Sequence, residues 1–533
     1  MGSGILKVVS KVFLACSGVL ILTACHGSQI PEQKGALRFE VFLPSYFDKS
    51  IKDGRLLLVF TRNSRVEPVQ LLKIESIIDK PFILAKEVNG LRPKAKLSLD
   101  QSADFFPLKH FKEMKPGHYI VQAVLLTNDL YLGVDAPGTL YSMPERIFVD
   151  PNEKKTYRIK LSGVVTDEEL VDSDKIKYVK LKSELLSKYW KRPVFLKAGI
   201  LLPQYYDQEQ DRRYPLWIHI GGGDASATSL EYLLEEPGNR FIEIPRFRSG
   251  WFRAFSPRMV LVHLDNQGPY GCSYHVNSEN NGPYGDALVE ELIPFIESQF
   301  RAGGNGASRF LEGHSSGGWA ALALQILYPE EFNGVWAGQP DPVDFRSFQT
   351  INIYENNNAF FDERGKARPS ARGDDGTVLS YIKDEVQMER VIGRGGVYSK
   401  SGGDWGAWNA VFAPRGEDGQ PLSLIDPKDG KISANVAAAY KKYDLTLRLK
   451  ERWKELAPKL EGKIHVWVGD NDTYYLNDAV HLMDAFLKQA RPQYKGQILY
   501  GSDKNHTWVP YTARQLMDEM MLRNSAVDVE GSK

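Results

Sequence analysis

A chain of 533 residues with 42% hydrophobic and 11% aromatic side chains is long enough for more than one domain and for a large apolar core. Its 67 basic and 67 acidic residues cancel, so nothing in the charge balance supports nucleic acid or a polyanion as partner. Three cysteines are too few for a disulfide scaffold.

The N-terminus opens with Lys7 and Lys11, followed by an apolar run over residues 12–22 and then Thr23, Ala24 and Cys25. Eleven mostly apolar residues fall short of the roughly twenty that span a bilayer as a helix, and the pattern fits a secretory signal over 1–24. Leu22, Thr23, Ala24 and Cys25 resemble the lipobox of bacterial lipoproteins, which implies cleavage before Cys25 and lipidation of its thiol. An ordinary signal peptide with an incidental Cys25 is the alternative. With His26 rather than an aspartate next, the resemblance implies an exported lipoprotein of the outer membrane, on its periplasmic face or at the cell surface. The membrane is then a partner through the N-terminal lipid. Cys16 lies in the signal, so Cys272 is left as the one thiol of the mature chain.

A polar tether, 25–35, leads into strand-length apolar runs at 38–42, 55–60, 119–126, 146–149 and 156–161, separated by turn-forming Pro, Gly, Asn and Asp. Short strands with little helix between them predict a β-sandwich, immunoglobulin-like, over 36–166. The acidic stretch 167–179 reads as a linker.

From 180 to 524 strands and helices alternate, which predicts a mostly parallel α/β sheet covered on both faces. An early buried strand over 214–220 ends in Gly221, Gly222, Gly223 and Asp224, where backbone N–H groups approach a substrate oxygen most closely. Gly222 is the first candidate oxyanion donor. The polar, aromatic loop 266–283 follows the strand at 259–263, and Tyr274 and Asn277 are its candidate substrate contacts; a loop satisfied by its own hydrogen bonds is the alternative.

Gly313, His314, Ser315, Ser316 and Gly317 form a G-x-S-x-G between a short apolar run ending at Leu311 and a helical pattern over 319–328. That strand–turn–helix setting is what a nucleophile elbow needs, and the spacing selects Ser315 as nucleophile, with the Ser316 N–H as second oxyanion donor. A long segment, 341–458, reads as an insertion or cap. In it Trp405 and Trp408 could stack on a sugar or aryl group, although burial in a core is the more ordinary fate of a tryptophan. Further on, a β-type run at 463–468 leads to Asp470 and Asp472, and a second at 496–500 leads to His506. A triad in the order Ser, Asp, His therefore has Asp472, preferred over Asp470 in the same turn, and His506; His481 falls within a helical pattern. Trp405 and Trp508 are carried as substrate contacts, and 525–533 as a C-terminal tail.

Taken together, the glycine loop after residue 217, the helix pattern 285–296, the elbow 313–318, the Gly469-x-x-Asp472 turn and His506-x-Trp508 resemble the esterase D-like branch of the α/β-hydrolases, relatives of the enterochelin and feruloyl esterases. The resemblance runs from about Lys180 to Met520. It implies a serine carboxylic-ester hydrolase with Ser315, Asp472 and His506 as triad, acting on a small-molecule or saccharide ester. Asn505 stands where the family has a glycine. No metal or organic cofactor is expected, and the sequence is silent on oligomeric state. A serine peptidase using the same triad and a non-catalytic surface protein with a hydrolase fold are the competing readings.

Overall fold

The computed structural model describes residues 37–43, 47, 51–72, 80–92, 95–128, 130–234 and 244–530. The expected signal segment, tether and Cys25 lie outside the described residues. No helix among those described is long and apolar enough to cross a membrane.

The front part holds two sheets. Strands Lys96–Leu99, Arg38–Phe42 and Thr156–Lys160 make the smaller, with the last two parallel. The larger is built around Ile51–Thr61, flanked antiparallel by Phe82–Leu91 and Gly117–Leu126. Alternation along Thr156–Lys160 turns Tyr157 and Ile159 inward, and they join Phe39, Val41, Leu58, Phe60 and Val121 in one apolar cluster fed by both sheets. Phe82–Leu91 was missing from the sequence expectation. Its first four residues are a continuous buried run without alternation, because both faces of this central strand are covered.

Behind these comes a third sheet of eight strands, in the order Ile176–Lys182, Phe195–Leu201, Val260–Leu264, Leu216–Ile220, Arg309–His314, Val335–Gly338, Ile464–Gly469 and Gln497–Gly501. From Val260–Leu264 onward all pairings are parallel; the first two strands are antiparallel additions. The sheet begins at Ile176, inside the stretch expected to be linker, since this strand pairs along its whole length with Phe195–Leu201. The C-terminal helix Ala513–Glu530 takes in most of the expected tail. Strands covered on both faces explain the unbroken buried runs at Leu216–Ile220 and Val260–Leu264, apolar but for His219 and His263.

The stretch after Val335–Gly338 folds against the rest rather than apart from it. It carries a hairpin, Pro369–Arg372 with Val378–Tyr381, and helices Ile382–Ile392, Asp404–Phe412, Ala434–Tyr440 and Leu445–Lys459. Helix Ile382–Ile392 joins front and back. Met388, Val391 and Ile392 pack on Leu57, Val59, Ile83 and Ala85 of the larger front sheet. Buried Arg55 crosses the same contact, donating from Nε to the Val391 carbonyl (2.8 Å) and pairing with Glu87 (2.9 Å) and Asp104 (2.7 Å).

Candidate active site

Ser315 sits between strand Arg309–His314 and helix Ser316–Leu327 with φ 56° and ψ −125°, a conformation that costs an L-residue about 1–3 kcal/mol. The glycines beside it make the turn possible. A Cβ on Gly317 would lie 2.0 Å from the Ile220 carbonyl oxygen, and one on Gly313 would lie 2.4 Å from the Gly317 oxygen. The backbones of two strands and a helix meet there with no room for a methyl group. Ser315 N–H donates to the Gly338 carbonyl (3.0 Å), which ties the turn to the next strand.

The glycine loop after Leu216–Ile220 closes on this turn. A Cβ on Gly222 would be 3.4 Å from the Ser315 Cβ, so its backbone stands beside the nucleophile position. The Gly223 N–H is taken by Ser316 Oγ (2.7 Å), and Asn266 Nδ2 donates to the Gly221 (2.7 Å) and Gly223 (3.2 Å) carbonyls. Ser316 opens a helix, so its N–H has no carbonyl a turn earlier. Gly222 and Ser316 thus both lie beside Ser315.

The loops after the last two strands bring Asp472 and His506 together. Asp472 is fully buried; its Oδ2 contacts His506 Nδ1 at 2.8 Å, and its Oδ1 accepts the N–H groups of Tyr474 (2.9 Å) and Leu476 (3.2 Å). Asp470 points elsewhere, its carboxylate half-exposed and 3.6 Å from His481. The insertion clamps both loops. Arg372 donates to the carbonyls of Asp472 (2.9 Å) and Asp470 (3.2 Å), and Asp374 receives Asn471 (2.8 Å) and Asn505 (2.8 Å). Asn505, the departure from the family's glycine, is thereby a tether for the His506 loop.

The Ser315 hydroxyl donates to Asp341 Oδ1 at 3.4 Å. Asp341 stands on the loop leaving strand Val335–Gly338, and its Oδ2 accepts from Tyr274 OH (2.5 Å) and Trp408 Nε1 (2.8 Å). Burial pushes this carboxyl above its ordinary range, against the hydrogen bonds of Tyr274 and Trp408 and the charge of His506. Sequence reasoning missed Asp341. The available signal was its place at the carboxyl end of the strand next to the nucleophile strand, where ligands of such sheets bind.

Below the turn, buried Glu312 takes His219 on one oxygen and His314 (2.8 Å) on the other. Burial pushes its carboxyl up, but the two imidazoles outweigh burial and hold it well below the usual range. His219 and His314 end neighbouring strands, so this cluster supports the elbow from inside the sheet.

Of the expected substrate contacts, Tyr274, Asn277 and Trp405 hydrogen-bond to protein groups. Trp405 is buried, donates to Glu385 (2.8 Å) and packs edge-on against Trp408, in the core of the insertion. Tyr274 spends its hydroxyl on Asp341. Asn277 is exposed and accepts the Asp286 N–H (3.0 Å) at the start of a helix. Trp508 lies over Gly501 and joins the apolar cluster of Trp217 and Trp467 beneath the sheet. The amide-rich loop is likewise satisfied internally: Asn280 donates to the Ala410 (2.9 Å) and Ala413 (2.8 Å) carbonyls. Aromatic and amide side chains in a sequence advertise contact, but not whether the partner is substrate or protein.

The sheet order with the nucleophile turn at its centre is that of an α/β-hydrolase. The family model described as "Putative esterase" matches residues 195–509. The chain belongs to that family. It is an esterase, a serine hydrolase of carboxylic esters. Among solved structures the esterase is similar to an S-formylglutathione hydrolase from Agrobacterium tumefaciens, at 13% identity over 66% of this chain and 94% of that one, TM-score 0.34. It is also similar to a fluorophosphonate-binding serine hydrolase of Staphylococcus aureus, at 12% identity over 66% and 98%, TM-score 0.37. A third likeness is the ferulic acid esterase of Anaeromyces mucronatus, at 12% identity over 68% and 95%, TM-score 0.32. No curated protein matches the esterase.

Proposed function

We propose that Ser315 attacks the acyl carbonyl of an ester outside the cytoplasm, forming an acyl-enzyme that water then cleaves. His506 accepts the Ser315 proton, returns it to the leaving alcohol and afterwards activates the water. Asp472, bonded to His506 Nδ1, fixes the tautomer and stabilises the imidazolium. The N–H groups of Gly222 and Ser316 receive the oxyanion, each worth about 3 kcal/mol in the transition state. One observation carries this reading: Ser315 is held at φ 56° on the strand-to-helix turn of the same sheet whose last two loops bond His506 Nδ1 to buried Asp472.

The lipobox-like Leu22 to Cys25 supports an exported enzyme anchored at the outer membrane by lipid on Cys25. The front sheets are read as a β-sandwich module of immunoglobulin type. Saccharide and siderophore esters are the substrate classes that the family resemblance suggests.

A fluorophosphonate probe tests the chemistry. Labelling of the wild type but not of Ser315→Ala is expected, together with faster turnover of p-nitrophenyl acetate than of peptide anilides. Equal labelling of both proteins would remove Ser315 from the mechanism. Growth with a radiolabelled fatty acid tests the anchor: label in the wild type and none in Cys25→Ala.

A further inference from the structure

Asp341 is a carboxylate in an expensive position. Its side chain is 5% exposed, and no lysine or arginine pairs with it among the described residues. An ion taken from water without a partner charge costs several kcal/mol. If the residue served only to accept the Tyr274 and Trp408 donors, the neutral amide of an asparagine would do so at less cost. Those two donors are themselves buried, at 1% and 5% exposure, and both meet Oδ2, so the carboxylate is pinned in one orientation. Its backbone is fixed as well, the Asp341 N–H donating to the Ser315 carbonyl (3.2 Å).

Oδ1 is the atom left over. Its one donor among the described residues is the Ser315 hydroxyl, at a long 3.4 Å. That donor disappears during the reaction, because the hydroxyl gives up its proton as Oγ bonds to the acyl carbon. A buried acceptor left without a donor is destabilised, more so when charged. In the acyl-enzyme Oδ1 is thereby open to a donor that the substrate brings. A substituent on the carbon next to the carbonyl stands three bonds from Oγ, which places it about 3 Å away at ordinary bond lengths. Oδ1 lies 3.4 Å from Oγ, on the same scale, so such a substituent stands in its neighbourhood.

We propose that Asp341 is a specificity-determining residue that binds a hydroxyl or ammonium group on the α-carbon of the acyl chain. The preferred substrates are then esters of α-hydroxy or α-amino acids. This rests on Ser315 being the nucleophile. It deepens the reading above by naming the acyl group, which the family assignment leaves open.

The test compares kcat/KM for ethyl propionate, ethyl lactate and ethyl alaninate, which differ at the α-carbon in carrying hydrogen, hydroxyl or ammonium. Wild-type enzyme is expected to favour lactate or alaninate over propionate by about 10–100-fold, the scale on which sites built around a polar substrate group discriminate against its absence. A lead for alaninate assigns the ammonium, and a lead for lactate the hydroxyl. In Asp341→Asn the amide keeps an acceptor for Tyr274 and Trp408 but turns its NH2 toward the nucleophile, and the ratio is expected to fall at least tenfold. Trp408→Phe frees one side of the carboxylate and should lower the ratio less. Ratios between substrates are unaffected by a general loss of folded enzyme. Equal wild-type rates on the three esters, or an unchanged ratio in both variants, overturn the proposal. Fluorophosphonate labelling of Ser315 without turnover of any of the three also overturns it while leaving the esterase chemistry standing. Absence of labelling as well takes both down.

Discussion

The pairing of Asp472 with His506 depends on one carboxylate being divided between two tasks. Its Oδ1 is occupied by two backbone N–H groups of its own turn, so Oδ2 has a fixed direction and meets His506 Nδ1 at 2.8 Å. An amide in its place would keep the turn but offer the imidazole the wrong partner, leaving the ring in the tautomer that cannot accept the serine proton. Asp472→Asn is therefore expected to lower kcat by roughly 10³–10⁴-fold with little change in KM, measured on p-nitrophenyl acetate. Asp470→Asn should stay within about threefold of wild type, because that side chain faces His481 at the surface. The turn at Ser315 and the pairing of Asp472 with His506 were legible, since the strand-then-loop pattern placed each after a strand of one sheet. Choosing between Asp470 and Asp472 needed the direction of each side chain in a tight turn. Asp341 was not legible as a participant: it begins a long insertion, and no local pattern separates an acid that faces a neighbouring loop from one that faces water.

At the level of elements, helix Ile382–Ile392 works with both faces. One carries Met388, Val391 and Ile392 to the front sheet; the other turns Glu385 and Glu389 inward, where Glu389 accepts from Ser401 (2.7 Å) and from the N–H groups of Trp405 (3.0 Å) and Gly406 (2.8 Å). Glu389 thus caps the helix that holds Trp408 against Asp341. Burial pushes its carboxyl up to about 7 from an ordinary 4.5, with the hydrogen bonds of Ser401, Gly406 and Trp405 acting in the opposite direction. A raised carboxyl pKa means that the folded protein holds this proton to higher pH than the unfolded chain does. The stabilising contribution is therefore complete below about pH 4.5 and is lost as pH rises through about 7. Between pH 5 and 8 the wild type is expected to lose on the order of 2–3 kcal/mol more unfolding free energy than Glu389→Gln. Urea melts of the two proteins at several pH values measure this. Subtracting one from the other cancels shared contributions of opposite sign, such as His275, which burial pushes down to about 4.

Across the whole molecule the larger front sheet and the insertion of the hydrolase part share an apolar surface. The contact joins apolar residues of Ile51–Thr61 and Phe82–Leu91 to a helix of the insertion, with Arg55 crossing it. Apolar surface of this kind couples the two parts thermodynamically. A single calorimetric unfolding transition is expected for the whole protein. Arg55→Met should lower stability by about 2 kcal/mol, since Glu87 and Asp104 keep partial solvent contact, and should speed heat inactivation of the esterase. Two separate transitions, with activity following only the second, would show the front part to be independent. By itself the sequence determined the alternation of strands and helices, the serine turn with its obligatory glycines and the order of acid and base. Each of these is fixed by local backbone sterics and by periodic burial along one stretch of chain. Only the tertiary structure decided that Tyr274 and Trp408 hold a carboxylate beside the serine, that Trp405 is buried against Glu385, and that the larger front sheet packs on the insertion. Those relations join residues far apart in the chain. They depend on which buried polar atoms find each other once water is excluded, and no spacing along the chain encodes that.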